Sequence, residues 1–165
     1  MITCQFEDGG KTSLRHICVN AIIINKGKVL LGKRGTQNNG KSILEAGKWA
    51  LIGGFFSRDE TLEEGLKREV MEESGWRIDN LLLFRINDNP NRPAEDRQNV
   101  DMIFVAQAKE KVAGSDEEVT NLEWFDLNTL PPKDQIAFDH GNHLEIYKRY
   151  LKENFPLPLF GNITK

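Results

Sequence analysis

Short apolar runs alternate with polar, glycine-bearing turns along the chain, and this spacing predicts a mixture of strands and helices. Two Val- and Ile-rich runs flank Lys26-Gly27, which predicts a tight turn and therefore a β-hairpin. The predicted strands cover 16–25, 28–33, 48–54, 76–86 (with a break near Asn80), 98–108 and 123–126, and the predicted helices cover 59–74 and 134–154.

Polar stretches at 35–47, 87–97 and 114–120 separate these elements, and the first is long enough to border a cleft. The order of elements places the first helix against a mixed sheet and the second helix on its other face. The sequence therefore predicts one small α/β (α+β) domain over residues 1–165, which is enough chain for a single core. Residues 1–12 and 155–165 are expected to be loose tails, although 1–12 also suits a short edge strand.

The first predicted helix carries three carboxylates on one face. Glu69, Glu72 and Glu73 stand at i, i+3 and i+4, one turn apart. Carboxylates packed this closely at the edge of a cleft favour a cation, and a set of oxygen ligands favours Mg²⁺ or Mn²⁺ over Zn²⁺. Arg68 stands beside them and can pair with Glu60 or orient Glu69. An isolated acidic face of this kind is more often simply solvated, so its flanks matter.

The flanks of this helix favour the functional interpretation. Asp59 or Ser57 suits the N-cap, and Gly75 is a stop signal. Gly53-Gly54 follows an apolar run that reads as a buried strand. A buried strand, a glycine turn, a short loop and a carboxylate helix make the layout of a phosphate and metal site.

Residues 54–76 resemble the signature box of the Nudix hydrolases, and every fixed position of that box is filled. The chain departs from the family pattern at two positions. Ile52 stands where the family often has proline, which alters the stiffness of the turn, and Trp76 is larger than the usual aliphatic residue. The resemblance implies a Nudix-type α/β/α sandwich with a mixed sheet between helices. It also implies Mg²⁺-assisted hydrolysis of a diphosphate linked to another group, with Mn²⁺ as an alternative metal.

The resemblance also implies roles for particular residues. Glu69, Glu72, Glu73 and the backbone carbonyl of Gly53 correspond to metal ligands. The general base differs within the family: it is either a box glutamate, with Glu69 first, or a glutamate on the loop before the last strand. Glu118 occupies that loop position here, although an acidic loop can equally be a solvated surface. The expected catalytic residues are therefore Glu69, Glu118 and the orienting arginine beside the ligands.

Three features favour ADP-ribose or a related nucleotide sugar as substrate. Arg92 and Arg97 could bind phosphate or ribose, and Phe55 or Phe56 could stack on a base. The stretch 131–140 resembles a branch often assigned to ADP-ribose pyrophosphatases. Each feature has a structural alternative, namely loop charges, sheet packing and a helix start with a solvent-facing aspartate. A nucleoside triphosphate pyrophosphohydrolase acting on oxidised purine triphosphates is the second candidate, and a non-catalytic Nudix-like ligand sensor is a remote third.

Composition restricts the partners. The net charge of -3 argues against a general nucleic-acid or anionic-membrane binder but leaves a small nucleotide substrate open. Cys4 and Cys18 are too few for a disulfide scaffold and lack zinc-site spacing. No long apolar run marks a signal peptide or a membrane span, so cytoplasm is the expected location. The N-terminal arm is compatible with a homodimer.

Overall fold

The computed structural model describes residues 2–38, 40–92 and 98–161. Twelve strands and two helices are formed within these ranges. They are β1 (Ile2–Gln5), β2 (Lys11–Leu14), β3 (Ile17–Asn25), β4 (Lys28–Arg34), β5 (Gln37–Asn38), β6 (Lys41–Ser42), β7 (Trp49–Ala50), β8 (Ile52–Phe55), α1 (Leu62–Ser74), β9 (Trp76–Asn87), β10 (Val100–Lys111), β11 (Val119–Asp126), α2 (His140–Glu153) and β12 (Leu159–Phe160).

The main sheet is mixed and has β3 near its centre. Its strand order is β11-β4-β3-β10-β9-β12, and β7 and β8 pair with β4 and β3. Strands β3 and β10 run parallel, as do β9 and β12, whereas the other pairs are antiparallel. The predicted hairpin around Lys26-Gly27 is confirmed, because β3 and β4 pair directly across that turn.

The two helices cover opposite faces of this sheet. Alternate residues of β3 belong to two different apolar clusters, as expected when successive side chains of a strand point to opposite faces. One cluster contains α1 and the other contains α2. The predicted α/β/α sandwich is thereby confirmed. The α1 cluster includes Val19, Ala21, Ile23, Leu66 and Val70, and the α2 cluster includes Ile22, Ile24, Phe84, Leu144 and Tyr147.

Helix α1 begins later than predicted. Its N-cap is Thr61, not Asp59 or Ser57, because Thr61 and Glu64 form a capping box. The Glu64 N–H donates to the Thr61 hydroxyl at 3.3 Å, and the Thr61 N–H donates to the Glu64 carboxylate at 2.8 Å. This reciprocal pair satisfies two backbone donors at once, which a lone Asp or Ser cap does not. The predicted stop at Gly75 is confirmed, with φ at 69°.

Helix α2 also begins later, at His140 instead of residue 134. Residues 133–135 form a single 3₁₀ turn, and Ile136 then makes an isolated parallel bridge with Trp49. Phe138 follows with a positive φ of 52°, which no helix can contain. The segment before α2 is therefore held against the sheet edge beside β7.

Several other boundaries differ from the predictions. The strand expected at 48–54 is interrupted at Leu51, which separates β7 from β8. Strand β9 is continuous through Asn80, where a positive φ of 51° accompanies a shift in pairing register. Strand β11 begins four residues earlier than predicted, at Val119. The polar loop 35–47 contains the small hairpin β5–β6.

The tails are more ordered than expected. Strands β1 and β2 pair only with each other, so the N-terminal arm is a hairpin of its own and not an edge strand of the main sheet. At the other end β12 adds a short parallel strand to β9. The described part of the C-terminal tail is therefore attached to the sheet. Neither α1 nor α2, the helices that the described ranges contain, is long and apolar enough to cross a membrane.

Candidate active site

A cleft of about 490 Å³ lies between the β8 backbone, the C-terminal half of α1, the loop 35–47 and the segment before α2. Most of the predicted site residues meet there. Arg68 and Glu72 lie next to the cleft but do not line it, and Arg97 lies outside the described residues. The predicted residues that line the cleft are Gly53, Phe55, Glu69, Glu73, Arg92 and Glu118.

Glu73 is the most deeply buried carboxylate of the cleft. It is 8% exposed, and its Oε2 accepts a hydrogen bond of 2.9 Å from the Gly53 N–H. Burial raises the pKa of Glu73 to about 8, although the hydrogen bond from Gly53 opposes this shift. A Cβ at Gly53 would lie 2.7 Å from the Asn20 Cα, and the φ of Gly53 is +146°. Only glycine therefore allows β8 to approach β3 this closely.

Glu69 lies against the neighbouring glycine. A Cβ at Gly54 would lie 2.7 Å from the Glu69 Cδ, so the missing side chain of Gly54 makes the space that the carboxylate occupies. Burial raises the pKa of Glu69, and the contact with Arg68 partly offsets that rise. Gly53 thus contacts Glu73 through its N–H, and the missing side chain of Gly54 gives Glu69 its space.

Arg68 holds the outer carboxylates in place. Its Nε and Nη2 donate to the two oxygens of Glu60 at 3.0 and 2.8 Å, a bidentate pair. Its Nη1 donates to Glu69 at 2.8 Å and to Glu72 at 3.0 Å, and Nη2 also reaches the Phe55 carbonyl at 3.2 Å. Both pairings predicted for Arg68 are present. The hydrogen bonds from Arg68 lower the pKa of Glu60 to about 2.

Glu118 reaches the same cleft from the loop before β11. The loop is attached to α1 because the Asp116 N–H donates to the Glu72 carbonyl at 3.0 Å. It is attached to the end of β4 because the Gly35 N–H donates to the Glu118 carbonyl at 2.7 Å. Burial and the neighbouring Asp116 raise the pKa of Glu118. Glu117 is exposed, so the loop presents only one of its two glutamates to the cleft.

These oxygens match a hard divalent cation in chemistry. Burial raises the pKa of Glu69, Glu73 and Glu118 together, so the fold brings negative groups into a space that disfavours their charge. A bound cation would compensate that charge. Within residues 2–38, 40–92 and 98–161 no three acidic, histidine or cysteine side chains already surround one ion position. Glu69 and Glu73 are instead held by Arg68 and by the Gly53 N–H.

We expect Arg68→Lys to lower kcat by about tenfold or more, although the charge is kept. Lysine cannot hold both oxygens of Glu60 and reach Glu69 and Glu72 at the same time, because it lacks the planar fork. Steady-state kinetics at several Mg²⁺ concentrations measure the effect. Arg77→Lys is the matched control, since Arg77 makes an exposed pair with Glu110 away from the cleft. Equal rates for both variants and the parent would show that Arg68 is only a surface charge.

A comparison of Glu118→Gln with Glu117→Gln tests whether the loop before β11 supplies a catalytic glutamate. We expect Glu118→Gln to lower kcat by about tenfold or more with little change in KM, because the group acts mainly in the transition state. Glu117→Gln should be nearly silent, since its side chain is exposed. The pH–rate profile should also flatten on its acidic side in the first variant alone. If both variants are silent, the proton acceptor belongs to the box, with Glu69 first.

The sequence analysis missed a buried polar cluster beneath the cleft. Arg92 is not a loop charge: its Nε and Nη2 donate to Asp139 at 2.9 and 2.8 Å, and Nη2 lies 3.4 Å from Asp101. Asp139 is buried, so the solvent-facing alternative for this residue is wrong. His140 accepts a hydrogen bond from the Leu51 N–H through Nδ1, and burial keeps its pKa well below the ordinary value. The only signal for this cluster was the resemblance of the stretch 131–140.

Phe55 and Phe56 lie in different surroundings. Phe55 is 37% exposed, lines the cleft and stacks on His16 with ring centroids 4.1 Å apart. Phe56 packs against the α1 cluster, which agrees with the packing alternative. A role of Phe55 in stacking on a base stays a prediction.

Comparison with known proteins identifies the family. The model of the NUDIX domain matches residues 14–148. An ADP-ribose pyrophosphatase of Methanocaldococcus jannaschii is 31% identical over 134 residues, which cover 81% of this chain and 73% of that protein. An oxidized purine nucleoside triphosphate hydrolase of Danio rerio is 32% identical over 119 residues, covering 72% and 70% of the two chains. A NUDIX hydrolase from Nitrosomonas europaea has the same fold, with a TM-score of 0.71, 25% identity, and coverage of 90% of this chain and 78% of that one.

A sandwich of this kind, with an intact carboxylate box at its cleft, defines a hydrolase of phosphoanhydrides. The chain belongs to the Nudix family, and it is a Nudix pyrophosphohydrolase. Hydrolases of this family generally use a divalent metal such as Mg²⁺ and act on small nucleotide substrates.

Proposed function

We propose that the protein is a Mg²⁺-dependent hydrolase of a nucleoside diphosphate derivative, with ADP-ribose or a related nucleotide sugar as substrate. The observation that carries the proposal is the cleft that joins Glu69, Glu73 and Glu118 to the Gly53 backbone. The choice of substrate is supported by the ADP-ribose pyrophosphatase of M. jannaschii, which matches over most of both chains. The name of this relative also agrees with the resemblance of the stretch 131–140 to the branch of ADP-ribose pyrophosphatases.

The residues of the cleft suit this hydrolysis. Water forms a new bond to one phosphorus, the bridging P–O bond breaks, and the two phosphate groups leave on separate products. The proton of the water passes to a carboxylate, Glu118 or Glu69, whose pKa burial raises above that of an ordinary glutamate, which makes it a stronger proton acceptor. Glu69, Glu72, Glu73 and the Gly53 carbonyl would hold Mg²⁺, which would supply neutralisation of the charge that develops on the phosphate oxygens.

A nucleoside triphosphate is the second candidate substrate. It is supported by the match to the oxidized purine nucleoside triphosphate hydrolase of D. rerio, at similar identity and coverage. The cleft chemistry is the same for both candidates, because each substrate presents a diphosphate to the same glutamates. The part of the substrate beyond the diphosphate decides between them.

A substrate panel tests both candidates. ADP-ribose, other nucleotide sugars, 8-oxo-dGTP and dGTP are incubated with the enzyme and Mg²⁺, and with EDTA in parallel reactions. Products are separated and identified. We expect ADP-ribose to give AMP and ribose 5-phosphate, with activity lost in EDTA. Preferred cleavage of 8-oxo-dGTP to the monophosphate and pyrophosphate would replace the first candidate with the second. Equal rates with and without EDTA would contradict the metal assignment.

A further inference from the structure

The loop between β9 and β10 supplies two polar residues to the cleft. Arg92 and Asn99 belong to this loop, and both are buried and line the cleft. Pairing between β9 and β10 ends at Asn87 and Asp101, so both residues lie beyond the last pair of the two strands. The positions of Arg92 and Asn99 therefore depend on contacts outside the hydrogen-bonded pairing of β9 with β10.

Arg15, which lies two residues before β3, joins the two ends of this loop. Its Nη2 donates to the Asp88 carbonyl at 2.7 Å and to the Asn99 carbonyl at 3.4 Å, and its Nε donates to the Gln98 carbonyl. Asp88 directly follows β9, whereas Gln98 and Asn99 directly precede β10. All three acceptors are main-chain carbonyls. Arg15 thus supplies hydrogen bonds at the point where the two strands no longer pair with each other.

This contact requires an arginine whose own position is fixed. A guanidinium has five N–H donors in a planar fork, so it can hold carbonyls of two chain segments at once. Gln98 has a φ of 53°, a left-handed conformation that costs energy in a non-glycine residue and persists only where its surroundings hold it. The Val100 N–H donates to the His16 carbonyl at 2.8 Å, which attaches the residue after Arg15 to the start of β10.

The side chain of Arg15 contributes little to the core. Arg15 is exposed, and neither of the two apolar clusters includes it. Replacement of an exposed side chain of this kind usually changes the free energy of unfolding only slightly. Fixing the ends of a loop has a different effect, because it removes conformational freedom that ligand binding would otherwise have to remove. Arg15 is therefore placed to affect the cleft more than the stability of the fold.

We infer that Arg15 is a positioning residue that holds Arg92 and Asn99 in the cleft and thereby sets the affinity for substrate. The inference rests on the proposed function, which places the nucleotide in this cleft. Arg15 is not among the described residues that line the cleft, so it acts through the loop and not by contact with the substrate. The box glutamates stand on α1, a different element, and keep their positions when Arg15 is replaced.

Steady-state kinetics with the preferred substrate of the panel separate positioning from a structural role. We expect Arg15→Met to raise KM by about tenfold and to change kcat by less than about twofold, because binding is weakened while the box glutamates stay in place. Arg15→Lys should recover part of the loss, since lysine keeps a donor without the fork. Arg77→Met is the matched control, because Arg77 is exposed and pairs with Glu110 away from the cleft. An unchanged KM in Arg15→Met, or a fall in kcat together with a lower melting temperature, would overturn the inference.

Hydrogen exchange in the absence of nucleotide separates this inference from the proposed function. Two hydrogen-bonded amides report on the loop ends: the Asn91 N–H donates to the Asn89 side chain at 3.0 Å, and the Val100 N–H donates to the segment before β3. In Arg15→Met both amides should exchange about tenfold or more faster than in the parent, while those of β3 keep their rates. Equal exchange in the two proteins would overturn the role of Arg15, whatever the kinetics show. If the parent hydrolyses no compound of the panel but the amides respond as expected, the proposed function fails and the positioning role of Arg15 stands.

Discussion

Glu73→Gln should lower kcat by about a hundredfold or more while leaving the fold intact. Glutamine keeps an oxygen that can accept the hydrogen bond from the Gly53 N–H, so the contact between helix and strand is preserved. What disappears is a carboxylate, the proposed metal ligand, in the most buried position of the cleft. Steady-state rates over a range of Mg²⁺ concentrations measure the loss, and higher Mg²⁺ should restore only part of it.

Glu63→Gln is the matched control on the same helix. Glu63 carries the same charge but is largely exposed and pairs with Lys67, four residues further on. Its replacement should change kcat by less than about twofold, since surface pairs of this kind contribute little. Glu72→Gln should fall between the two, because Glu72 is half exposed and is held by Arg68 outside the cleft. Near-normal turnover of Glu73→Gln at limiting Mg²⁺ would refute the assignment of the metal site.

The metal-free protein should lose stability as pH rises from 5 to 8, and Glu73→Gln should remove much of this loss. The pKa of Glu73 is raised from 4.5 to about 8 in the folded state, so the unfolded chain releases this proton first. The stabilisation is complete below pH 4.5 and disappears as pH rises through the folded pKa of about 8. The difference between the two proteins should change by on the order of 3 kcal/mol across this range.

Urea unfolding in EDTA at pH 5, 6.5 and 8 measures this difference. Glu69 and Glu118 have raised pKa values and add slopes of the same sign, whereas His140, whose pKa is lowered, adds a slope of the opposite sign. Most of these slopes are common to both proteins, so the comparison reports Glu73 together with its charge coupling to Glu69 and Glu118. Parallel stability curves for parent and variant would mean that Glu73 is not buried as described. Added Mg²⁺ should stabilise the parent most at the alkaline end.

The carboxylate face of α1 could be predicted because it is local. Helical spacing alone places Glu69, Glu72 and Glu73 together, and Gly75 alone ends the helix. The start of α1 was predicted less well, since several polar residues near Thr61 are acceptable caps and only the reciprocal contact with Glu64 selects one. Boundaries set by a choice between similar local options are the least predictable part of a helix.

The rest of the site depends on contacts between distant parts of the chain. Arg92 and Asp139 are 47 residues apart, and no periodicity links them, yet their pairing buries both. Helix α2 is delayed because Ile136 bridges to Trp49, a contact that sequence spacing does not reveal.

The position of β3 between both helices has a consequence for hydrogen exchange. This strand pairs with β4, β8 and β10 and is covered on both faces, so its amides should exchange only through global unfolding. Gly53 pairs with Asn20 of this strand, which ties the backbone side of the cleft to the slowest-exchanging part of the protein. The loop that carries Glu118 is exposed over most of its length, and we expect its amides to exchange faster than those of β3. We therefore expect the two walls of the cleft to differ in local stability, with the β8 wall the more stable.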